Sequence, residues 1–312
     1  MSFTDLLCVS VLTATVPASE QPASAERACP FAGHNCYSDF GLRISNRKLA
    51  MALQAGLRVI EVDVHHVRSA GGFVVTHKSR NPPSEPLLDG FLKPLWARWR
   101  EEPGEHILVI DFKAGRPDLA ARDLDRYLAD YREVLSTYAP DGTLRTRGHI
   151  SVCLSGSSAI GRAYIDLASK KGELLALRDT GPGGAKREAM RRFLQRPRRP
   201  GVGYLTLDFA SRVIRASGTA PDYLDWLREI VAGARRRRYK VRVYTLDVLG
   251  PKRVDGRLVS GAWDAHWAAC VRAGVDMIST DNYALAAEWW KQIGCKLVTD
   301  RPTPEPRAPS PQ

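Results

Sequence analysis

Arg58-Val59-Ile60-Glu61-Val62-Asp63-Val64 reads as a β-strand with apolar side chains on both faces and two carboxylates on one of them. A strand that is apolar all round belongs inside a sheet covered on both sides, which in α/β proteins means a parallel sheet flanked by helices. The same rhythm continues outward from it. Short runs rich in aliphatic and β-branched residues occupy Pro30 to Gly33, Ile107 to Phe112, Ile150 to Leu154, Glu173 to Leu177, Tyr204 to Leu207, Val241 to Leu246 and Asp276 to Ser279. Helical stretches fit between most of them. Asn46 caps Arg47 to Ala55, which Gly56 ends in a left-handed turn. Pro221-Asp222 opens a helix with Tyr223, Leu224, Leu227, Ile230 and Val231 at helical spacing, and Asp264 to Ala273 precedes Gly274.

This alternation predicts crossover helices, and eight strands is the number that closes a barrel. The expected fold is therefore α/β, a TIM-type (β/α)8 barrel. Phe73 to Thr76, behind Gly71-Gly72, falls outside the alternation and predicts a hairpin insertion after the second strand that delivers His77.

With 44% hydrophobic and 26% charged residues, the 312-residue chain has ample material for one core. The barrel is assigned to 29–298, between a leader at 1–28 and a Pro-rich solvated tail at 299–312. The leader carries an apolar stretch, Leu6 to Val16, and a small-residue tract ending near Ala25. Asp5 stands where a secretory signal would be basic, so secreted and cytoplasmic readings both remain open. No apolar run reaches the roughly 18 residues of a transmembrane helix.

The formal charge of +12 suits an anionic small molecule or peripheral contact with a lipid surface. A nucleic acid is not expected, because Arg196-Pro197-Arg198-Arg199 and Arg235 to Arg238 lack the interleaved aromatics of single-strand binders. The second run falls at a helix end, where cations suit the macrodipole. The chain is read as a monomer. Its six cysteines lack zinc-ligand spacing, and Cys29 and Cys36, flanking His34, are read either as free thiols or as a short disulfide loop.

In parallel barrels, chemistry sits where strands end, so polar residues closing apolar runs come first. The first strand reaches His34-Asn35, the second carries Glu61 and Asp63, the third ends in Asp111-Phe112-Lys113, and the eighth runs into Thr280-Asp281-Asn282. Glu61 and Asp63 repel each other on one strand face. A divalent cation would remove that conflict, with Asp111 completing a hard-oxygen site suited to Mg2+ or Ca2+; the alternative is a pair satisfied by Arg or Lys in the barrel interior. His34 and His77, titrating near neutrality, suit acid and base roles in attack at phosphorus. Lys113 faces the same way as Asp111 and could hold a phosphate oxygen or pair with the acidic cluster. His65 and His66 are adjacent and point apart, so at most one can join the site. His106 opens a strand at the opposite end.

The order Gly33-His34-Asn35-Cys36-Tyr37, Ala52-Leu53-Gln54-Ala55-Gly56, Ile60-Glu61-Val62-Asp63-Val64 and Val75-Thr76-His77 resembles the front half of the phospholipase C-like phosphodiesterase superfamily. That superfamily includes glycerophosphodiester phosphodiesterases, phosphatidylinositol-specific phospholipases C and sphingomyelinase D toxins. Tyr244-Thr245-Leu246-Asp247 and Gly274 to Asn282 are similar to the last two strands of glycerophosphodiesterases, so the likeness spans most of 30–290. The resemblance implies a TIM-type barrel, Mg2+ or Ca2+ held by Glu61, Asp63 and Asp111, and acid/base roles for His34 and His77.

Subfamily features are mixed. His34-Asn35 and His77-Lys78 stand where glycerophosphodiesterases usually carry His-Arg-Gly and His-Asp. His-Asn-x-Tyr is similar to the calcium-dependent phosphatidylinositol phospholipases C, which would recruit Asn35 to the metal. Asp111-Phe112-Lys113 is similar to the sphingomyelinase D branch, where such a Lys approaches phosphate. The whole arrangement, with Leu87 to Trp99, resembles the altered-inheritance-of-mitochondria-6-like group. The implied activity is hydrolysis or internal transesterification of a small phosphodiester or phospholipid headgroup. A sphingomyelinase D-like enzyme and a non-catalytic barrel binding anionic headgroups are the alternatives. A glycosidase fits poorly, since two carboxylates on one strand cannot readily flank a sugar from opposite sides.

Overall fold

The computed structural model describes residues 29–36, 47–70, 72–76, 88–181, 187–208, 220–244, 252–254, 257–259 and 262–299. Strands and helices alternate through them in the order β1 (Phe31–Gly33), α1 (Arg47–Gln54), β2 (Val59–Val67), α2 (Leu88–Glu101), β3 (His106–Ala114), α3 (Pro117–Ala129), β4 (Ile150–Gly156) and α4 (Ser158–Lys170). The second half continues with β5 (Leu177–Thr180), α5 (Arg187–Gln195), β6 (Val202–Asp208), α6 (Ala220–Arg236), β7 (Lys240–Tyr244), α7 (Ala262–Ala273), β8 (Met277–Thr280) and α8 (Tyr283–Trp289). Each of these strands pairs in parallel with the next, and β8 pairs with β1, so the sheet closes into the expected (β/α)8 barrel.

Burial follows the sequence logic. Val59, Ile60, Val62 and Val64 of β2 and Leu108, Val109 and Ile110 of β3 are all buried, whichever face they occupy. β1 is only three residues long and is anchored from outside by rings. Phe31 packs edge-on against Trp267 of α7 and Trp289 of α8, with centroids 4.5 and 5.8 Å away, a geometry that adds to the area buried. Gly56 and Gly274 end α1 and α7 at φ +74° and +84°, as expected of left-handed helix stops.

The hairpin is present: Gly72–Val75 runs antiparallel to the end of β2, from Val64↔Val75 to Val67↔Gly72. Two further hairpins were not anticipated. Thr137–Tyr138 pairs with Leu144–Thr146 in the α3–β4 connection, and Lys252–Val254 pairs with Arg257–Val259 between β7 and α7.

The fifth strand is displaced from its expected place, Glu173 to Leu177, to Leu177–Thr180. The apolar run Leu174-Leu175-Ala176 is buried, but its backbone is engaged elsewhere. Leu174 exchanges hydrogen bonds with Tyr138 at 2.9 and 2.8 Å, and Leu175 N donates to the Tyr164 hydroxyl at 3.0 Å. Only from Leu177 on is the chain available to the barrel. Cys29 and Cys36 are free thiols, so no disulfide closes the loop around His34. Burial pushes the Cys36 thiol up to about 12. The expected leader, and the tail from residue 300 on, lie outside the described residues. Among those described, no helix is long and apolar enough to cross a membrane.

Candidate active site

The register between β2 and β3 sets Asp63 beside Asp111 and Glu61 beside Val109. Glu61 and Asp63 are buried, and oxygens of Glu61, Asp63 and Asp111 lie within 4.8 Å of one another. The pairing then skips a residue, from Val64↔Phe112 to His65↔Ala114, leaving Lys113 at a bulge. From there its Nζ lies 3.2 Å from Asp63 Oδ2 and 3.2 Å from Asp111 Oδ2. Burial works against the ammonium, but the charges of Asp111 and Asp63 more than offset it and raise its pKa.

Glu61 has a different partner. Arg242, from the middle of β7, is buried and donates through Nη2 to Glu61 Oε2. Its other nitrogens reach Ser279 Oγ (3.1 Å) and Ser155 Oγ (3.3 Å), and Ser155 and Thr206 hydroxyls donate to Asp179 Oδ2 at 2.8 and 2.9 Å. A polar layer therefore crosses the barrel interior from β2 to β8. Burial raises the Asp179 pKa despite these bonds.

Sequence reasoning missed Arg242. The signal was present: Lys240, Arg242 and Tyr244 share one parity of a strand whose other residues are Val241 and Val243, and a charge inside a barrel needs a partner. Interior cations do pair with the acidic residues, Arg242 with Glu61 and Lys113 with Asp63 and Asp111, and the three carboxylates still form a group that could hold a metal ion. The carboxylates of Glu61, Asp63 and Asp111 outnumber the two cations, Arg242 and Lys113, that pair with them.

His34 stands at the end of β1, where the backbone is fixed on both sides. Its N–H donates to Thr280 O (2.9 Å), Cys36 N–H to Glu61 O (3.1 Å), and the Tyr283 hydroxyl to His34 O (2.6 Å). Asn35 follows in the left-handed region at φ +49°, where Asn is among the few tolerated residues. His34 Nδ1 lies 3.3 Å from Asp281 Oδ2 and 3.1 Å from Asn35 Nδ2. Burial would depress the imidazolium, but the hydrogen bond to Asp281 and the charges of Glu61 and Asp281 outweigh it, so the His34 pKa is raised. Asp281 was noted at the end of β8 but given no role; its contact with His34 is apparent only once β8 and β1 are paired.

Of the remaining histidines, His66 turns to Asp123 of α3 (Nε2 to Oδ2, 2.8 Å) and His65 is buried. His106 stacks on Trp99 at the far end, with centroids 4.8 Å apart. His77 lies outside the described residues. The structure thus brings Glu61, Asp63, Asp111 and Lys113 together and sets His34 with Asn35 at the same strand-end mouth.

The donors fit a hard divalent cation. They are all oxygens, and Asp111 Oδ1 is buried without a hydrogen-bond partner among the described residues. Gly156, at φ +76°, leaves room for that oxygen. An added Cβ would collide with Asp111 Oδ1 and with the Phe112 carbonyl. Gly156→Ala is expected to destabilise the chain by about 1–3 kcal/mol, read from urea denaturation. A neutral result would mean that Asp111 shifts freely.

Compared by sequence, the chain matches no family model and no curated protein. By structure it is similar to a Ca2+-dependent phosphatidylinositol-specific phospholipase C from Streptomyces antibioticus, with a TM-score of 0.51 and 17% identity over 82% of this chain and 95% of that one. At that identity the likeness speaks for the fold. A Mycobacterium tuberculosis protein matches with a TM-score of 0.31 and 12% identity over 78% of this chain and 93% of that one, too distant to bear on the argument.

Proposed function

We propose that this barrel is a divalent-cation-assisted phosphodiesterase acting on a phospholipid headgroup or a small phosphodiester. What carries the reading is the meeting, at one mouth, of the carboxylate-paired His34 with the cluster of Glu61, Asp63, Asp111 and Lys113. One structural neighbour is a Ca2+-dependent phosphatidylinositol-specific phospholipase C, which lends weight to the same chemistry on this fold.

Asp281 and Asn35 both engage His34 through Nδ1, leaving Nε2 to exchange a proton with substrate. His34 and His77 divide the proton transfers, one taking the proton of the attacking hydroxyl and the other protonating the leaving oxygen. Lys113 shifts from its carboxylates to a non-bridging phosphoryl oxygen and balances charge there. Arg242 does not touch substrate; it holds Glu61 at a fixed depth. Mg2+ or Ca2+ would be held by Glu61, Asp63 and Asp111 with Asn35, and would supply Lewis-acid neutralisation of the phosphoryl charge.

The test is a panel of glycerophosphodiesters, inositol lipids, sphingomyelin and a chromogenic bis-ester, assayed with EDTA, Mg2+ and Ca2+. Turnover abolished by EDTA and restored by one cation is expected. Turnover indifferent to EDTA, with no metal bound, would remove the cation from the scheme. Phosphorus NMR of the product separates a cyclic phosphate, formed by attack of a neighbouring substrate hydroxyl with departure of the alcohol, from the linear monoester formed by attack of water.

A further inference from the structure

The two basic runs, Arg196 to Arg199 and Arg235 to Arg238, have no part in the site above. In the fold they follow α5 and close α6, so both arrive at the N-terminal face of the barrel, opposite His34. There Arg198 and Arg238 line one cavity of about 330 Å3 together with Arg147, Lys240, Tyr138 and Leu144. The N-terminal face of such barrels ordinarily serves stability, and its connections are short. Here the α3–β4 connection is enlarged by the Thr137–Thr146 hairpin, which forms a wall of the cavity and leaves Leu144 42% exposed.

Arg238 is the second independent sign. It sits at φ +58°, just past the C-terminus of α6, with its N–H on Arg235 O and the following Tyr239 N–H on Ala234 O, both 2.9 Å. That position is normally filled by Gly, because a Cβ is strained there. Arg238 is also one of the residues lining the cavity, and backbone strain of this kind gathers at functional sites.

The charges are unbalanced. Lys240 is paired with Glu105 (2.5 Å), and Arg198 is fixed on Gly142 O and Val202 O, 3.1 Å each, over the Tyr239 ring. The side chains of Arg147 and Arg238 make no hydrogen bond or close ion pair among the described residues, although Arg147 lies within electrostatic reach of Glu105 and Arg238 of Asp141. Asp141 is near, but its carboxylate is engaged by the Thr143 N–H and hydroxyl. Four cations therefore face one paired carboxylate and one turn-bound one.

We propose that this cavity is a second ligand site, taking a small phosphorylated molecule with at least two negative charges whose apolar or ring portion lies against Tyr138 and Leu144. The volume is at the small end of the range of about 300–1,000 Å3 for ligand pockets, which suits a metabolite rather than a polymer.

The test is calorimetric titration of the full chain with pyrophosphate in metal-free buffer at physiological ionic strength. One saturable site per chain is expected, weakened about tenfold or more in Arg147→Ala and in Arg238→Gly, as for loss of a charge-assisted hydrogen bond. Arg238→Gly should also raise the melting temperature, because Gly relieves the left-handed strain; a purely structural arginine would lower it. Lys113→Ala, at the other mouth, should leave this binding unchanged. Absence of saturable binding overturns the proposal. So does binding lost in Lys113→Ala but kept in Arg238→Gly, or retention of anionic vesicles or RNA without pyrophosphate binding.

Discussion

Replacing His34 by Ala is expected to lower phosphodiester turnover by about 10²- to 10⁴-fold, measured as steady-state hydrolysis of the best diester in the panel, while the melting temperature barely moves. The two halves of that expectation have separate grounds. His34 is partly exposed, and its side-chain contacts are to Asp281 and Asn35 at the rim, so removing the ring opens no core cavity. Its proton transfer, by contrast, has no substitute among the other described histidines: His65 is buried, His66 is committed to Asp123, and His106 stacks on Trp99 at the opposite face. His77→Ala should show a loss of the same order, and the double variant should fall little further, since acid and base act on one transition state. Wild-type turnover in either single variant would take that residue out of the chemistry. Wild-type function in both would favour a barrel that binds headgroups without cleaving them.

The residues around that site were legible to different degrees, and the reasons are physical. Glu61, Asp63, Asp111 and Lys113 could be read because strand alternation is local: each lies within two residues of another acid or at the end of an apolar run. The barrel itself was legible because both faces of its strands are buried, which leaves nearly unbroken apolar runs. The fifth strand was misplaced for the same reason, since Leu174 to Ala176 is equally apolar but spends its backbone on Tyr138 and Tyr164. Arg242 and Asp281 depend on which strands are neighbours: Arg242 lies 181 positions from Glu61, and Asp281 lies 247 from His34. Pairings of that kind appear only when the ring closes. Arg238 is harder still, because nothing in a run of arginines indicates which of them takes the left-handed position.

Arg242→Met carries the largest expected effect on stability. Glu61 is 1% exposed, and removing the guanidinium leaves its carboxylate in the barrel without its ionic partner. Breaking a buried ion pair from one side costs about 3–5 kcal/mol, to be read from the urea midpoint at constant slope. Burial alone would weaken the charged guanidinium, yet the Glu61 charge holds the Arg242 pKa above its ordinary value, so both partners are bound into one electrostatic unit. Glu61→Gln in the Arg242→Met background should therefore recover much of the loss, because the uncompensated charge is then gone and only hydrogen bonds to Ser155 and Ser279 remain unmade. If the double variant is no better than the single, the cost lies in packing or in the serine network, and Arg242 serves the barrel rather than Glu61. If the single variant is as stable as wild type, the polar layer contributes nothing to folding. Its retention would then have to be explained by the position it gives Glu61 beside Asp63 and Asp111.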